Sequence, residues 1–227
     1  MLKIKLKYFI IPIVDLLGIL LQSIMEIKTL TVGEMAENSY LFYNPDSLEC
    51  IIIDPGDEAD FISQEILNLK LTPLCIILTH GHYDHCLGCL ELTLNFNIPI
   101  FLNSKDIFLY QKASQSAEYW SKTPSLKQPP TLPLNSQSIN NLFTIIPTPG
   151  HTPGSVCLYS APFLFTGDTL FSDAVGRTDL SYSSPSDLQA SLKTLSKLPP
   201  ETIIFPGHGD STSLQEALEN QKKGGQE

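Results

Sequence analysis

The sequence predicts an α/β fold for residues 25–222, and three observations lead there. Short apolar runs of strand length recur along the chain, separated by Gly, Pro, Asn and Asp. Amphipathic stretches of helical period lie between several of them. Five of the apolar runs break at once into tight turns carrying His or Asp: CIIIDPGD, CIILTHGHYDH, FTIIPTPGH, FLFTGD and TIIFPGHG. Strands that end at a common sheet edge present such turn residues to one point on a rigid scaffold.

Residues 39–43 and 50–53 read as two strands of a hairpin around the turn-like NPDS. Residues 57–69 place Phe61, Ile62, Ile66, Leu67 and Leu69 on or near one face and predict a helix. An apolar strand follows at 74–78, a helix at 84–95 and a strand at 98–102. Ser104 is placed to cap a helix reaching about residue 114. Residues 123–141 are rich in Pro, Ser, Gln and Asn and predict a long irregular loop, which either shapes a site or only connects elements. Strands resume at 143–146, 156–159 and 163–165. Ser184 caps a helix over 185–196, with Pro185 at its first position. The last strand is 202–205, the closing helix 213–221, and 223–227 a flexible tail.

The chain has 227 residues, 42% of them apolar, which suits one domain with a sizeable core. A formal net charge of −10 repels phosphate backbones and disfavours a nucleic-acid partner. The cysteines, Cys50, Cys75, Cys86, Cys89 and Cys157, are odd in number and read as reduced, buried thiols, so a cytoplasmic location is expected. Cys86 and Cys89 form a C-x-x-C without a second pair to complete a zinc knuckle. Residues 1–24 open with a basic, apolar stretch like a signal or anchor. Pro12 and Asp15 interrupt it, no small-residue cleavage site follows, and the run is short for a membrane span. The reading adopted is an over-extended start ahead of Met25; a membrane-surface helix and a docking helix are the alternatives, and a membrane partner is expected only if this stretch is a genuine anchor.

Every histidine of the chain falls in a strand-end turn. His80, His82, Asp84 and His85 lie within six residues, too tightly for four ligands on one regular element. A strand-to-helix turn opened by Gly81 can aim them at two adjacent metals. His151 and His208 each follow a glycine. Imidazole nitrogen and carboxylate oxygen bind zinc, iron and manganese. One histidine alone more often serves structure than ligation; the whole set points to a metal centre.

THGHYDH is an H-x-H-x-D-H motif. With PTPGHTPGS, LFTGDTLF and FPGHG in this order, it resembles the metallo-β-lactamase superfamily, and within it the small single-domain glyoxalase II-like (hydroxyacylglutathione hydrolase-like) hydrolases. The resemblance runs from about Met25 to Asn220. It implies an αββα sandwich of two mixed sheets with helices outside and the metals at one sheet edge. It also implies two divalent ions, zinc first, with iron and manganese compatible. His80, His82 and His151 would bind one ion, Asp84, His85 and His208 the other, and Asp168 would bridge them. Asp54 would stand just outside and orient the ligands, its plainer reading being a turn residue. The implied activity is hydrolysis of a small-molecule thioester by a metal-bridging hydroxide, with Asp84 and Asp168 as catalytic residues and Asp84 shuttling a proton. A leaving thiolate needs little protonation.

Arg177, the only arginine, lies in GRTDL, a segment that also resembles the small glyoxalase II-like proteins. It reads either as a fork for a substrate carboxylate or as a loop brace through Asp179 or Asp173. Full-length glyoxalase II enzymes continue into a helical domain that contacts glutathione, whereas this sequence stops shortly after FPGHG, so a broader thioester range is expected. The competing reading is a mononuclear-iron persulfide dioxygenase on the same scaffold, using two histidines and one aspartate. A β-lactamase fits the GDTLF and GRTDL segments poorly. A nuclease is opposed by the acidic balance, and a closed non-enzymatic metal site by the mixed His/Asp set.

Overall fold

A computed structural model describes residues 25–122, 126–135, 139 and 142–224; residues 1–24, the end of the tail and parts of the predicted 123–141 loop lie outside the described residues. The first sheet begins with three antiparallel strands, β1 (Glu26–Val32), β2 (Glu37–Tyr43) and β3 (Glu49–Ile53). Helix α1 (Ala59–Asn68) then carries the chain back so that β4 (Thr72–Ile77) runs parallel to β3. Helix α2 (Cys89–Phe96) does the same for β5 (Ile100–Leu102), and α3 (Ile107–Tyr110) with α4 (Ala113–Trp120) precede the parallel two-residue β6 (Leu132–Pro133). Parallel neighbours need such crossovers. The second sheet has β7 (Thr144–Pro147), β8 (Val156–Ser160) and β9 (Phe163–Gly167) antiparallel. After helix α5 (Pro185–Leu195), β10 (Ile203–Pro206) lies parallel to β9, and β11 (Thr212–Ser213) and helix α6 (Leu214–Gly224) close the chain.

Three separate apolar clusters divide the molecule into four layers. Leu41, Ile52, Ile76 and Leu78 on one face of the first sheet pack against Ile62, Ile66 and Leu92 of α1 and α2. The alternate residues Phe42, Ile51, Ile53 and Ile77 point the other way and meet Val156, Leu158 and Phe165 of the second sheet. Behind that sheet, Cys157, Leu164 and Ile204 pack on Leu195, Leu214 and Ala217 of α5 and α6. The result is an αββα sandwich of two mixed sheets. Phe165 sits at its centre, with ring centroids 5.2 Å from Tyr40, 5.5 Å from Phe42 and 5.4 Å from Phe205.

Several elements differ from expectation. Strand β1 goes unpredicted because it is an edge strand along which only Leu30 and Val32 are buried; β6 and β11 are too short to leave a pattern. The helix expected at 84–95 begins only at Cys89, because Tyr83–His85 is a single 3₁₀ turn. The helix expected from Ser104 is broken into a 3₁₀ turn (Ser104–Asp106), α3 and α4. Its cap is Asn103, whose side chain accepts from the Lys105 N–H. Helix α6 takes in residues 223 and 224 of the expected tail. Among the described residues no helix is long and apolar enough to cross a membrane.

All five cysteines are free and buried, and burial pushes the Cys50 and Cys75 thiols up to about 12. A thiol reagent at neutral pH is therefore expected to label none of them in the native protein and all five in denaturant. Phe165→Ala should cost about 3–5 kcal/mol of unfolding free energy, read from urea melts, because it empties the contact between the two sheets.

Candidate metal centre

The strands of both sheets deliver the polar residues to one edge of the sandwich. Asp54 follows β3, His80 to His85 follow β4, His151 lies in the β7–β8 turn, Asp168 follows β9 and His208 follows β10. His80, His82 and His151 form one group whose ligand atoms lie within 4.8 Å of one another; Asp84, His85 and His208 form another. His82 Nδ1 and His151 Nε2 face each other at 2.9 Å. His208 Nε2 lies 3.4 Å and His85 Nε2 3.8 Å from Asp84 Oδ2. Asp168 stands between the groups. Its Oδ1 is 3.3 Å from His85 Nε2 and 3.9 Å from His208 Nε2, while its Oδ2 is 3.5 Å from His151 Nε2.

The outer ring nitrogens are held by the surrounding protein. His151 Nδ1 lies 3.0 Å from the Arg177 carbonyl and His208 Nδ1 3.1 Å from the Met35 carbonyl. A carbonyl only accepts, so these nitrogens carry the proton, and each ring turns its Nε2 inwards. His80 Nδ1 is 3.1 Å from the Thr79 hydroxyl. His85 Nδ1 is 3.2 Å from Asp54 Oδ2 and 3.5 Å from Glu37 Oε1. Asp54 in turn accepts from the Thr79 N–H at 2.7 Å and the Thr79 hydroxyl at 2.5 Å.

The electrostatics follow from burial and close opposite charges. Burial, reinforced by His85 and His82, holds His80 well below the usual imidazole range. Burial likewise lowers His82 to about 4, so both rings are neutral lone-pair donors. Burial alone would lower His85 too, yet the neighbouring Asp168 and Asp84 carboxylates outweigh it and hold that ring well above the usual range. The same pairing keeps Asp168 ionised although burial opposes its charge. Burial raises Glu37, beneath His85, well above the ordinary carboxyl range.

The donor set fits divalent cations. His80 Nε2, His85 Nε2 and Asp168 Oδ1 are all buried and make no well-formed hydrogen bond, although the last two face each other at 3.3 Å. Buried polar atoms are rarely left so, and imidazole with carboxylate is the ligand chemistry of zinc and iron.

All the sequence-predicted ligands thus gather at one place, with Asp54 behind His85. Arg177 does not reach in with its side chain. Its exposed guanidinium closes on Asp179 through Nε and a terminal nitrogen, both at 2.8 Å, and it is the main-chain carbonyl that meets His151. Sequence reasoning missed Glu37, Thr79 and Asp106. Thr79 precedes the first histidine and Glu37 opens ENSY, but nothing in either position distinguishes a supporting polar group from a strand residue.

Residues 32–208 match the model of the metallo-beta-lactamase superfamily. Hydroxyacylglutathione hydrolase GloC of Haemophilus influenzae is 34% identical over 199 residues, 84% of this chain and 93% of its own length. The hydroxyacylglutathione hydrolase of Wigglesworthia glossinidia brevipalpis is 39% identical over 173 residues, 74% of this chain but 60% of its own length. Among solved structures, TTHA1623 in a di-iron-bound form is 37% identical with a TM-score of 0.79, covering 85% of this chain and 98% of that one. The BLEG-1 B3 metallo-beta-lactamase is 34% identical with a TM-score of 0.78, covering 86% and 97%. ETHE1 from Myxococcus xanthus is 26% identical with a TM-score of 0.65, covering 85% and 81%. Layered fold, strand-end histidine turns and these likenesses agree, and the chain belongs to the metallo-β-lactamase superfamily.

Proposed function

We propose that this chain is a binuclear metal-dependent hydrolase of small thioesters, of the hydroxyacylglutathione type. The observation that carries the reading is Asp168, whose two oxygens face two separate histidine groups. His80, His82 and His151 would hold one ion, Asp84, His85 and His208 the second, with Asp168 shared between them. A pair of divalent ions so held supplies Lewis acidity and an acidified water. Zinc is the ion we assign, in keeping with the nitrogen-rich first group; the di-iron form of TTHA1623 makes iron the nearest substitute.

The chain's own residues prepare the site. The Met35 and Arg177 carbonyls set the tautomers of His208 and His151, and Asp54 holds the His85 ring in place. Asp84 is held ionised by His85 and His208 although burial opposes its charge, and its Oδ2 is the atom that can take up a proton and release it. With Asp84 as the proposed proton carrier, itself held ionised, thioesters suit the site better than amides, because a thiolate departs with little protonation. The buried, reduced thiols fit a cytoplasmic protein.

Two rival chemistries are weighed by the same features. The likeness to BLEG-1 favours β-lactam hydrolysis as the second reading. A mononuclear-iron persulfide dioxygenase would not need the Asp84, His85 and His208 group, which is complete here.

Metal analysis of the purified protein, run beside S-lactoylglutathione, nitrocefin and glutathione-persulfide oxygen-uptake assays, tests the proposal. Two metals per chain with thioester turnover are expected. One iron per chain, oxygen uptake and no thioester turnover would overturn it. Asp168→Ala should reduce thioester turnover to background and metal content to one ion or fewer together; activity that survives would show the bridging role is wrong. Arg177→Lys should keep both metals, since the contact to His151 comes from the main chain, and loss of an ion would show instead that the Asp179 brace carries that histidine.

A further inference from the structure

Asp106 closes the 3₁₀ turn after β5 and is fully buried. Its carboxylate takes part in none of the chemistry above, yet it makes three bonds. Oδ2 accepts from the Gly81 N–H at 3.0 Å and from the Thr152 hydroxyl at 2.6 Å, and Oδ1 accepts from the Gly154 N–H at 2.6 Å. Gly81 lies between His80 and His82, and Thr152 follows His151. One side chain therefore fastens two segments that bear the three-histidine group.

The fit is tight. A Cβ on Gly81 would lie 2.6 Å from the Asp106 carbonyl oxygen and 3.1 Å from the Asp106 Cβ. A Cβ on Gly154 would lie 2.5 Å from the carboxyl carbon and from Oδ1. Two motif glycines, one in THGH and one in HTPGS, are thus explained by the volume that Asp106 occupies. Asp106 makes no bond to the other group, in which Asp54 meets His85, and through Thr79 also His80, while the Met35 carbonyl meets His208.

We propose that Asp106 is the positioning residue that preorganises the His80, His82 and His151 half of the centre, and that it does so independently of the Asp84, His85 and His208 half. This rests on the reading of the centre as two adjacent metal sites. Buried hydrogen bonds of this kind stand one layer out from the ligands, where they set ligand geometry. Asparagine at position 106 keeps the shape but turns an amide NH₂ towards one of the three donors, leaving it unpaired.

The experiment is titration of metal-free wild type, Asp106→Asn and the milder Thr152→Val with Zn²⁺ against a competing chelator, and with Co²⁺ to follow each site by its visible absorption. In Asp106→Asn one of the two binding steps should weaken about 10–100-fold, while the other stays within about twofold of wild type. Thr152→Val should weaken the same step by less, and the double variant should be no worse than Asp106→Asn alone. In the metal-free protein, the amide protons of Gly81 and Gly154 should move upfield in Asp106→Asn as their carboxylate partner is lost. Two unchanged steps in both variants, or equal weakening of both steps, would overturn the clamp alone. A wild type with a single binding step would instead overturn the two-site reading beneath it.

Discussion

The orientation of Asp168 is the constraint on which the centre depends. Its two oxygens look opposite ways, one to His85 and His208 and the other to His151. A carboxylate with only 12% of its side chain exposed is costly unless opposite charge or a cation compensates it. The surrounding imidazoles supply part of that compensation, and the inward Nε2 atoms of His80 and His85 leave room for more. Asp168 can be held so firmly because it directly follows β9, an inner strand of its sheet. Phe165 on one face of that strand and Leu164 on the other are fully buried in different apolar layers. The core therefore does more than stabilise the fold: it aims the carboxylate.

A second layer of support works through groups that are polar but not ligands. Asp54, Thr79 and Glu37 lie behind His80 and His85, and Asp106 ties the turns of the other histidines together. Main-chain carbonyls fix two further rings. The two halves of the centre consequently share Asp54, which backs His85 directly and His80 through Thr79, whereas Asp106 is bonded only to the turns of the three-histidine half.

The cluster of histidines was legible in the sequence because histidine is scarce here and every copy sits where an apolar run breaks. The strands buried on both faces, such as β3 and β4, were legible for the same reason of continuous apolarity. The helix at 84–95 was misread because apolar spacing cannot register that His82, Asp84 and His85 need a 3₁₀ turn before α2 begins. Strand β1 escaped because an edge position asks for only two buried side chains. Asp106 escaped because an acid near an expected helix start looks solvent-facing, and its burial depends on segments 25 and 48 residues away. Carbonyl contacts from Met35 and Arg177 have no signature at all, since any residue offers the same oxygen.

That last point bears on how such a centre can diversify. Two of its histidines are oriented by peptide oxygens, while the side chains of the residues that provide them, Met35 and Arg177, stand 54% and 63% exposed. Mutation at either position changes what an incoming molecule meets without removing the atom that steers the imidazole. A lineage can thus explore new ligands at the rim while its histidine cluster stays in register, which is consistent with relatives near 34% identity being described as a hydroxyacylglutathione hydrolase in one case and a β-lactamase in another.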